Sequence, residues 1–179
     1  MKKIMIAAVA IMLGIAANAA SVDWGISNVK HPTAGGAPAG WVAYVLDGSD
    51  YAAFSALDGD KVAAFAAANA IASGATAVGR GGVAGVSISG GNYAANETVS
   101  SFLVIFDNAS AAAAGNYAFT DVATTTIAEG GASGTINYED FSSAVASNGG
   151  WQSTDVPEPT SGLLLLLGVA GLALKRKRA

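Results

Sequence analysis

The sequence predicts a mainly β domain, a small antiparallel sheet or sandwich with one or two short alanine-rich helices. It also predicts an N-terminal signal helix and a C-terminal transmembrane helix outside that domain. Apolar runs bounded by Gly, Asn and Asp recur through residues 20–146, as strands between turns do. All fourteen aromatic residues lie between the two terminal segments, so the core is built there. Helical crossovers are missing after residue 75, which argues against a parallel α/β fold.

Two predicted strands are central to the sheet. Trp41–Leu46 is apolar at every position, as expected for a strand buried on both faces. Thr98–Phe106 places Phe102, Val104 and Phe106 on one face and Leu103 and Ile105 on the other. The remaining predicted strands are Val22–Asn28, one within Gly79–Gly91, Tyr117–Asp121, Thr124–Ala128 and Thr135–Glu139, the last with Ile136 and Tyr138 facing inward.

Two helices are predicted after the Trp41 strand. Asp50 is expected to cap a short helix that carries Tyr51, Phe54 and Leu57 on one side. Lys61–Ser73 is nearly all alanine, the strongest helix former, and is predicted to be a second helix lying against the sheet.

The N-terminus has the three-part layout of a secretory signal peptide. Lys2 and Lys3 precede an apolar run from Ile4 to Ile15, and Ala17 and Ala19 form a small-x-small cleavage site. We expect signal peptidase to remove residues 1–19. An uncleaved anchor helix is the alternative.

The C-terminus combines three unlike features in order. Pro157, Glu158 and Pro159 form a stiff extended arm, because proline fixes φ and restricts the residue before it. An apolar helix is predicted at 161–174, and the basic end is Lys175, Arg176, Lys177 and Arg178. The apolar stretch spans only ~20 Å against a hydrocarbon thickness of ~30 Å. Its leucine run and snorkelling cations favour a transient membrane stop over the alternative, a core helix with a solvated basic end.

These residues resemble the PEP-CTERM sorting signal, the substrate signal of exosortases in Gram-negative bacteria. The resemblance covers about the last 24 residues and includes the Pro-Glu-Pro motif, the apolar helix and the basic end. It implies an exosortase as processing enzyme and membrane contact through the C-terminal helix before processing. It also implies an inner-membrane-tethered precursor whose mature form reaches the cell surface or the extracellular space. The Leu-Pro-x-Thr-Gly motif of sortase substrates is missing.

The predicted organisation is therefore a signal peptide at 1–19, an extracytoplasmic domain at 20–146, a linker at 147–155 and the sorting signal at 156–179. Residues 20–155 hold three basic and twelve acidic residues, a net charge of −9. Such a segment is a poor binder of nucleic acid. The sequence has no cysteine, so disulfides and thiolate metal sites are excluded.

No group of residues predicts catalysis, a cofactor or a metal. His31 stands alone in a loop, and the 79–82 glycine stretch lacks the Lys-Ser/Thr ending of a phosphate loop. Asp47, Asp50, Asp58 and Asp60 do not follow the calcium-loop spacing and are expected to form turns and caps. Glu139 and Asp140 could supply half of a glycosidase carboxylate pair, although any acidic domain contains such neighbours.

Two classes of function fit these observations. The first is a non-catalytic exported surface or extracellular-matrix protein, with extracellular polysaccharide as a partner to test. The alternative is a secreted carbohydrate-binding or glycan-active module, for which Trp24, Trp41 and Trp151 are the candidate binding residues. A row of exposed tryptophans beside paired carboxylates would favour the alternative, and inward-facing aromatics would favour the first class.

Overall fold

Ten strands dominate the computed structural model, which describes residues 20–30, 38–79 and 82–155. The strands are β1 Ala20–Val29, β2 Val42–Asp47, β3 Ala70–Ala75, β4 Ala77–Val78, β5 Ala84–Tyr93, β6 Thr98–Phe106, β7 Asn116–Phe119, β8 Ala123–Thr126, β9 Gly134–Asp140 and β10 Gln152–Ser153. The helices are α1 Tyr51–Ser55, α2 Gly59–Asn69 and α3 Phe141–Ala144. The prediction of a mainly β domain with few short helices is confirmed.

The strands form two sheets. The first has the order β4-β5-β1-β9, and the second has the order β10-β7-β6-β2-β3, with β8 paired to the other end of β6. All described pairings are antiparallel except one, because β1 and β9 run parallel. The expectation of a wholly antiparallel arrangement is corrected at that pair. Parallel neighbouring strands need a long crossover connection. Here the connection from β1 to β9 is the long intervening chain, which includes strands of the second sheet.

One core joins the inner faces of the two sheets. On β1, Val22, Trp24 and Ile26 alternate inward with the period of two that a strand imposes. They share a buried cluster with Leu103 and Ile105 of β6 in the second sheet. Both sheets therefore bury an apolar face against the other.

The outer face of the second sheet is covered by helices. Phe102, Val104 and Phe106 of β6 are fully buried there, so this strand is buried on both faces, as predicted. Phe54 of α1 and Val62 of α2 pack on the same cluster. A helix as short as α1 is not stable alone, so this packing is what holds it.

Two predicted features of the helical region are wrong. The second helix starts at Gly59 and ends at Asn69, whereas Ala70–Ala75 is strand β3, which pairs with β2. Pairing with β3 gives the otherwise open edge of β2 a ladder of backbone hydrogen bonds. The free energy of this pairing outweighs the helix propensity of alanine. Asp50 does precede α1, as predicted, but it makes no side-chain cap, because it is already the last residue of the turn Gly48–Asp50 and has helical φ and ψ. The Asp47 carboxylate caps that turn by accepting the Ser49 N–H at 2.8 Å.

A buried polar chain crosses the core between the sheets. Trp24 Nε1 of the first sheet donates to Ser101 Oγ of the second at 2.9 Å. The Ser101 hydroxyl also lies 3.0 Å from the hydroxyl of Tyr138 on β9. Burial raises the pKa of Tyr138 to about 12, and hydrogen bonds from Ser101 and Thr120 oppose that rise only partly.

Stability is expected to fall at alkaline pH because of Tyr138. The raised pKa means that the folded state favours the neutral phenol of Tyr138 more strongly than the unfolded state does. The contribution of this preference to the free energy of unfolding is complete below the ordinary pKa near 10, and it is lost as pH rises through about 12. Two pKa units correspond to about 2.7 kcal/mol. Urea unfolding between pH 8 and pH 12 should show this loss, and Tyr138→Phe should flatten it. Tyr44→Phe, at a half-buried tyrosine, is the matched control, and an unchanged slope in Tyr138→Phe would contradict the assignment.

Both predicted terminal helices, in residues 1–19 and 161–174, lie outside the described residues. Among the residues that the structure describes, every helix falls short of the length and apolar character needed to cross a membrane.

Candidate functional site

The residues predicted to direct sorting all lie outside the described part of the chain. They are Pro157, Glu158, Pro159, Lys175, Arg176, Lys177, Arg178 and the cleavage-site residues Ala17 and Ala19. The structure does describe the chain up to Asp155, two residues before the first of the two prolines. The candidate site is therefore the last part of the chain that the structure describes before the motif, and residues 147–155 are called the exit segment below.

The exit segment, for which a linker is predicted, is attached to the second sheet. Its β10 pairs antiparallel with β7, which makes it the edge of that sheet. Thr154 N–H then donates to the Gly115 carbonyl at 3.0 Å, and the Thr154 hydroxyl donates to the Ala114 carbonyl. The chain is thus fixed to the domain until three residues before Pro157.

A polar cluster holds the beginning of the exit segment. The Tyr51 hydroxyl of α1 lies 2.8 Å from Asn148 Oδ1 and 3.0 Å from Asp121 Oδ1. Ser147 Oγ donates to the second carboxylate oxygen of Asp121, and Asn148 Nδ2 donates to the Phe119 carbonyl at 3.2 Å. The cluster links helix α1, the chain after β7 and the exit segment.

The Asp121 carboxylate is stabilised in its charged form. The Ser147 hydrogen bond lowers the pKa of Asp121 most; burial opposes that effect, and hydrogen bonds from Tyr51 and Asn148 lower the pKa further. Hydrogen bonds to an ionised carboxylate are stronger than neutral ones. At neutral pH the ionised Asp121 carboxylate therefore holds the exit segment by accepting the hydrogen bond of Ser147.

Gln152 and Gly59 complete the attachment. Gln152 accepts from the Tyr117 hydroxyl at 2.7 Å and donates to the Asn148 carbonyl at 2.7 Å. Gly59, the first residue of α2, lies so near the exit segment that an added Cβ would stand 2.5 Å from the Ser153 carbonyl oxygen. Glycine is needed there because backbone approaches backbone closely.

A groove of about 710 Å³ lies beside the end of the exit segment. One wall is α2, and the other is the connector of residues 109–114 between β6 and β7. Small apolar side chains line most of it, and the Tyr44 ring is its single aromatic group among the lining residues. Thr154 and Asp155 lie at its border, so the chain leaves the described structure at this groove, which is called the exit groove below.

The three candidate tryptophans do not form a surface row. Trp24 is 1% exposed and belongs to the core between the sheets. Trp41 and Trp151 are half-buried and meet edge to face with ring centroids 5.6 Å apart. Trp151 also packs on Phe141 at 5.3 Å, and its Nε1 donates to the Lys30 carbonyl at 3.0 Å. These contacts are those of residues that close the edge of a core.

Of the carboxylates named as candidates, Asp47 and Asp140 cap helical turns through their side chains. Asp58 makes an exposed ion pair with Lys61, and Asp140 accepts the Ser142 N–H at 3.0 Å at the start of α3. Asp140 also accepts a hydrogen bond from Asn28. Within residues 20–30, 38–79 and 82–155, no three His, Asp or Glu residues lie together in a way that could hold a metal ion. His31 lies outside these ranges.

The sequence did not reveal the residues that hold the exit segment. Tyr51 and Asn148 are 97 positions apart, and Tyr51 and Asp121 are 70 positions apart. No local spacing signals such contacts, since they exist only after the sheets assemble. The Gly59 position had a weak signal, because the glycine stands between two aspartates where a turn residue is expected.

Comparison with known proteins identifies a motif that begins at the last residue of the exit segment. The family model of the PEP-CTERM protein-sorting motif matches residues 155–178. This match confirms the resemblance seen in the Pro-Glu-Pro motif, the apolar stretch and the basic end. No curated protein and no solved structure matches the chain.

Proposed function

We propose, from the premise that this chain carries a PEP-CTERM sorting motif, that it is a non-catalytic protein displayed at the cell surface or in the extracellular matrix. In this proposal signal peptidase removes residues 1–19, and the 161–174 helix halts the precursor in the inner membrane. An exosortase then processes the chain near Pro157, Glu158 and Pro159. The domain is the delivered cargo.

The observation that carries the proposal is the position of the motif. The match begins at residue 155, and the folded domain holds its chain up to Thr154. Hydrogen bonds to the domain therefore reach to within one residue of the matched motif. The motif implies sorting by exosortase to the cell surface or the extracellular space.

The non-catalytic part of the proposal is supported by how the polar groups are used. The hydroxyls of Ser101 and Tyr138 form hydrogen bonds inside the core. The Asp121 carboxylate binds the exit segment, and the carboxylates of Asp47 and Asp140 cap helical turns. Each contact is accounted for by folding. Burial of Trp24 removes one of the three residues on which the carbohydrate-binding alternative rested.

The test is the intact mass of the protein in strains with and without the exosortase. We expect the mature protein to lack residues 1–19 in both strains and to lack Lys175–Arg178 only where the enzyme is present. A variant with alanine at Pro157, Glu158 and Pro159 is the matched control and should keep its C-terminus in the enzyme-containing strain. A mature form that still carries Lys175–Arg178 in that strain would refute the proposal.

A further inference from the structure

We infer that the exit groove binds the chain's own arm, Val156–Pro159, so that the folded domain competes with the processing enzyme for the sorting motif. The docking concerns this chain alone, whereas the competition rests on the proposed function. The starting point is where the chain leaves the domain. Asp155 borders the groove, so the next residue, Val156, enters from its rim.

The length of the arm matches the length of the groove. Asp60 and Ala67 of α2 line opposite ends of one wall, and seven helical steps of 1.5 Å separate them by about 10 Å. Four residues in the extended polyproline conformation span about 12 Å. The tight approach of Gly59 to Ser153 and Thr154 fixes the arm's origin at the Asp60 end. The arm therefore covers the wall without folding back.

The chemistry of the groove suits a proline-containing arm. Ala63, Ala67 and Ala112 give walls without bulky side chains, so a chain with two proline rings can lie flat against them. The Tyr44 ring, held edge to face against Phe106 at 6.0 Å, offers the aromatic surface on which proline-rich segments dock. Proline also loses little conformational entropy on docking, because its φ is already fixed.

Charge sets the orientation of the docked arm. The acidic side chains that line the groove are those of Asp60 and Asp155. Like charges repel, so Glu158 must point to solvent while Val156, Pro157 and Pro159 face the alanines. In this arrangement the apolar residues of the motif are covered, and an enzyme that needs the whole arm must first draw it out.

The chain has no cysteine, so introduced thiols test the docking directly. In the full-length precursor, kept in membranes of a strain without exosortase, Ala67→Cys is combined with Thr160→Cys and treated with a short bifunctional thiol reagent. The matched control is Ala68→Cys with Thr160→Cys, because Ala68, the next residue of the helix, is also exposed but does not line the groove. We expect an intrachain cross-link for Ala67→Cys in several-fold higher yield than for Ala68→Cys. Equal yields would overturn the docking, and a cross-linked dimer would assign the groove to a second copy and overturn it as well.

The competition is tested in the strain that contains the exosortase. Ala67→Glu places a long acidic side chain in the groove, and Ala68→Glu is its control. If docking holds back the arm, the rate of C-terminal processing should rise roughly two- to tenfold for Ala67→Glu, as release of a docked fraction predicts, and stay unchanged for Ala68→Glu. Equal rates would overturn the competition. Failure of processing in every variant would refute the proposed function and leave the cross-link result standing.

Discussion

Trp24→Ala is expected to lower the free energy of unfolding of the domain by about 3–5 kcal/mol, the cost of a large buried aromatic. Trp24 lies in the middle of the first sheet, in register with Ile88 and Ile136 on its two neighbouring strands. Its loss leaves a cavity between the sheets and removes the hydrogen bond that Ser101 Oγ accepts from the indole N–H. For a domain whose total stability is about 5–15 kcal/mol, this change removes a large share of the free energy of unfolding.

The measurement for Trp24→Ala is urea unfolding followed by circular dichroism. Trp151→Ala is the control, because Trp151 is half-buried and its Nε1 bonds only to a backbone carbonyl near the surface. Trp151→Ala should lower the free energy of unfolding by clearly less than Trp24→Ala. If Trp151→Ala proved as destabilising as Trp24→Ala, the assignment of Trp24 to the centre of the core would be wrong. The comparison also separates a structural tryptophan from one that serves a ligand.

Phe54→Ala is expected to cost a similar ~3–5 kcal/mol and also to loosen the exit segment. Phe54 is 1% exposed, and its ring centroid lies 5.1 Å from that of Phe119 and 5.4 Å from that of Phe102. It is the main anchor of α1, and α1 carries the Tyr51 hydroxyl that contacts Asn148 of the exit segment. Limited proteolysis should therefore cut the exit segment faster in the variant, beyond the shift in unfolding.

The matched control for Phe54→Ala is Phe65→Ala. Phe65 lies on α2 at the border of the same aromatic group, is half-buried, and meets Phe54 at 6.0 Å. Phe65→Ala should lower the free energy of unfolding by about 1–2 kcal/mol, as expected for a partly buried side chain. Cleavage of the exit segment should stay unchanged in this variant. Equal cleavage in the two variants would show that α1 does not hold that segment.

The strands that could be read from sequence are those whose local pattern and burial agree. The pattern predicts β6 from Thr98 to Phe106, the bounds that the structure shows, because the apolar residues from Phe102 to Phe106 can be buried on both faces of a strand. The sequence predicts helix at Ala70–Ser73, where the structure has strand β3, because alanine has no side chain large enough to reveal a strand's alternation. Only the open edge of β2 decides its conformation, and that edge exists only in the fold.

The candidate site likewise has one part that could be predicted from the sequence and one part that could not. The Pro-Glu-Pro motif, the apolar stretch and the basic end are local features, so the sequence alone was enough to predict what the match at 155–178 confirms. The attachment of residues 147–155 was not predictable. It depends on Tyr117, Asp121 and Gly59, residues brought to one place by strand pairing and helix packing. A short polar stretch rich in Gly and Ser reads as a linker until its partners are known.

The parallel pairing of β1 with β9 has a consequence for the order of folding. Ser27 of β1 and Glu139 of β9 are joined across 112 positions of sequence, so the first strand of the domain cannot complete its pairing until one of the last strands is available. Until then β1 has β5 on one side and an unpaired ladder on the other, an edge open to wrong partners. Such long-range contacts also make folding slow. The first sheet therefore closes only when β9, close to the C-terminal end of the domain, is available to pair with β1.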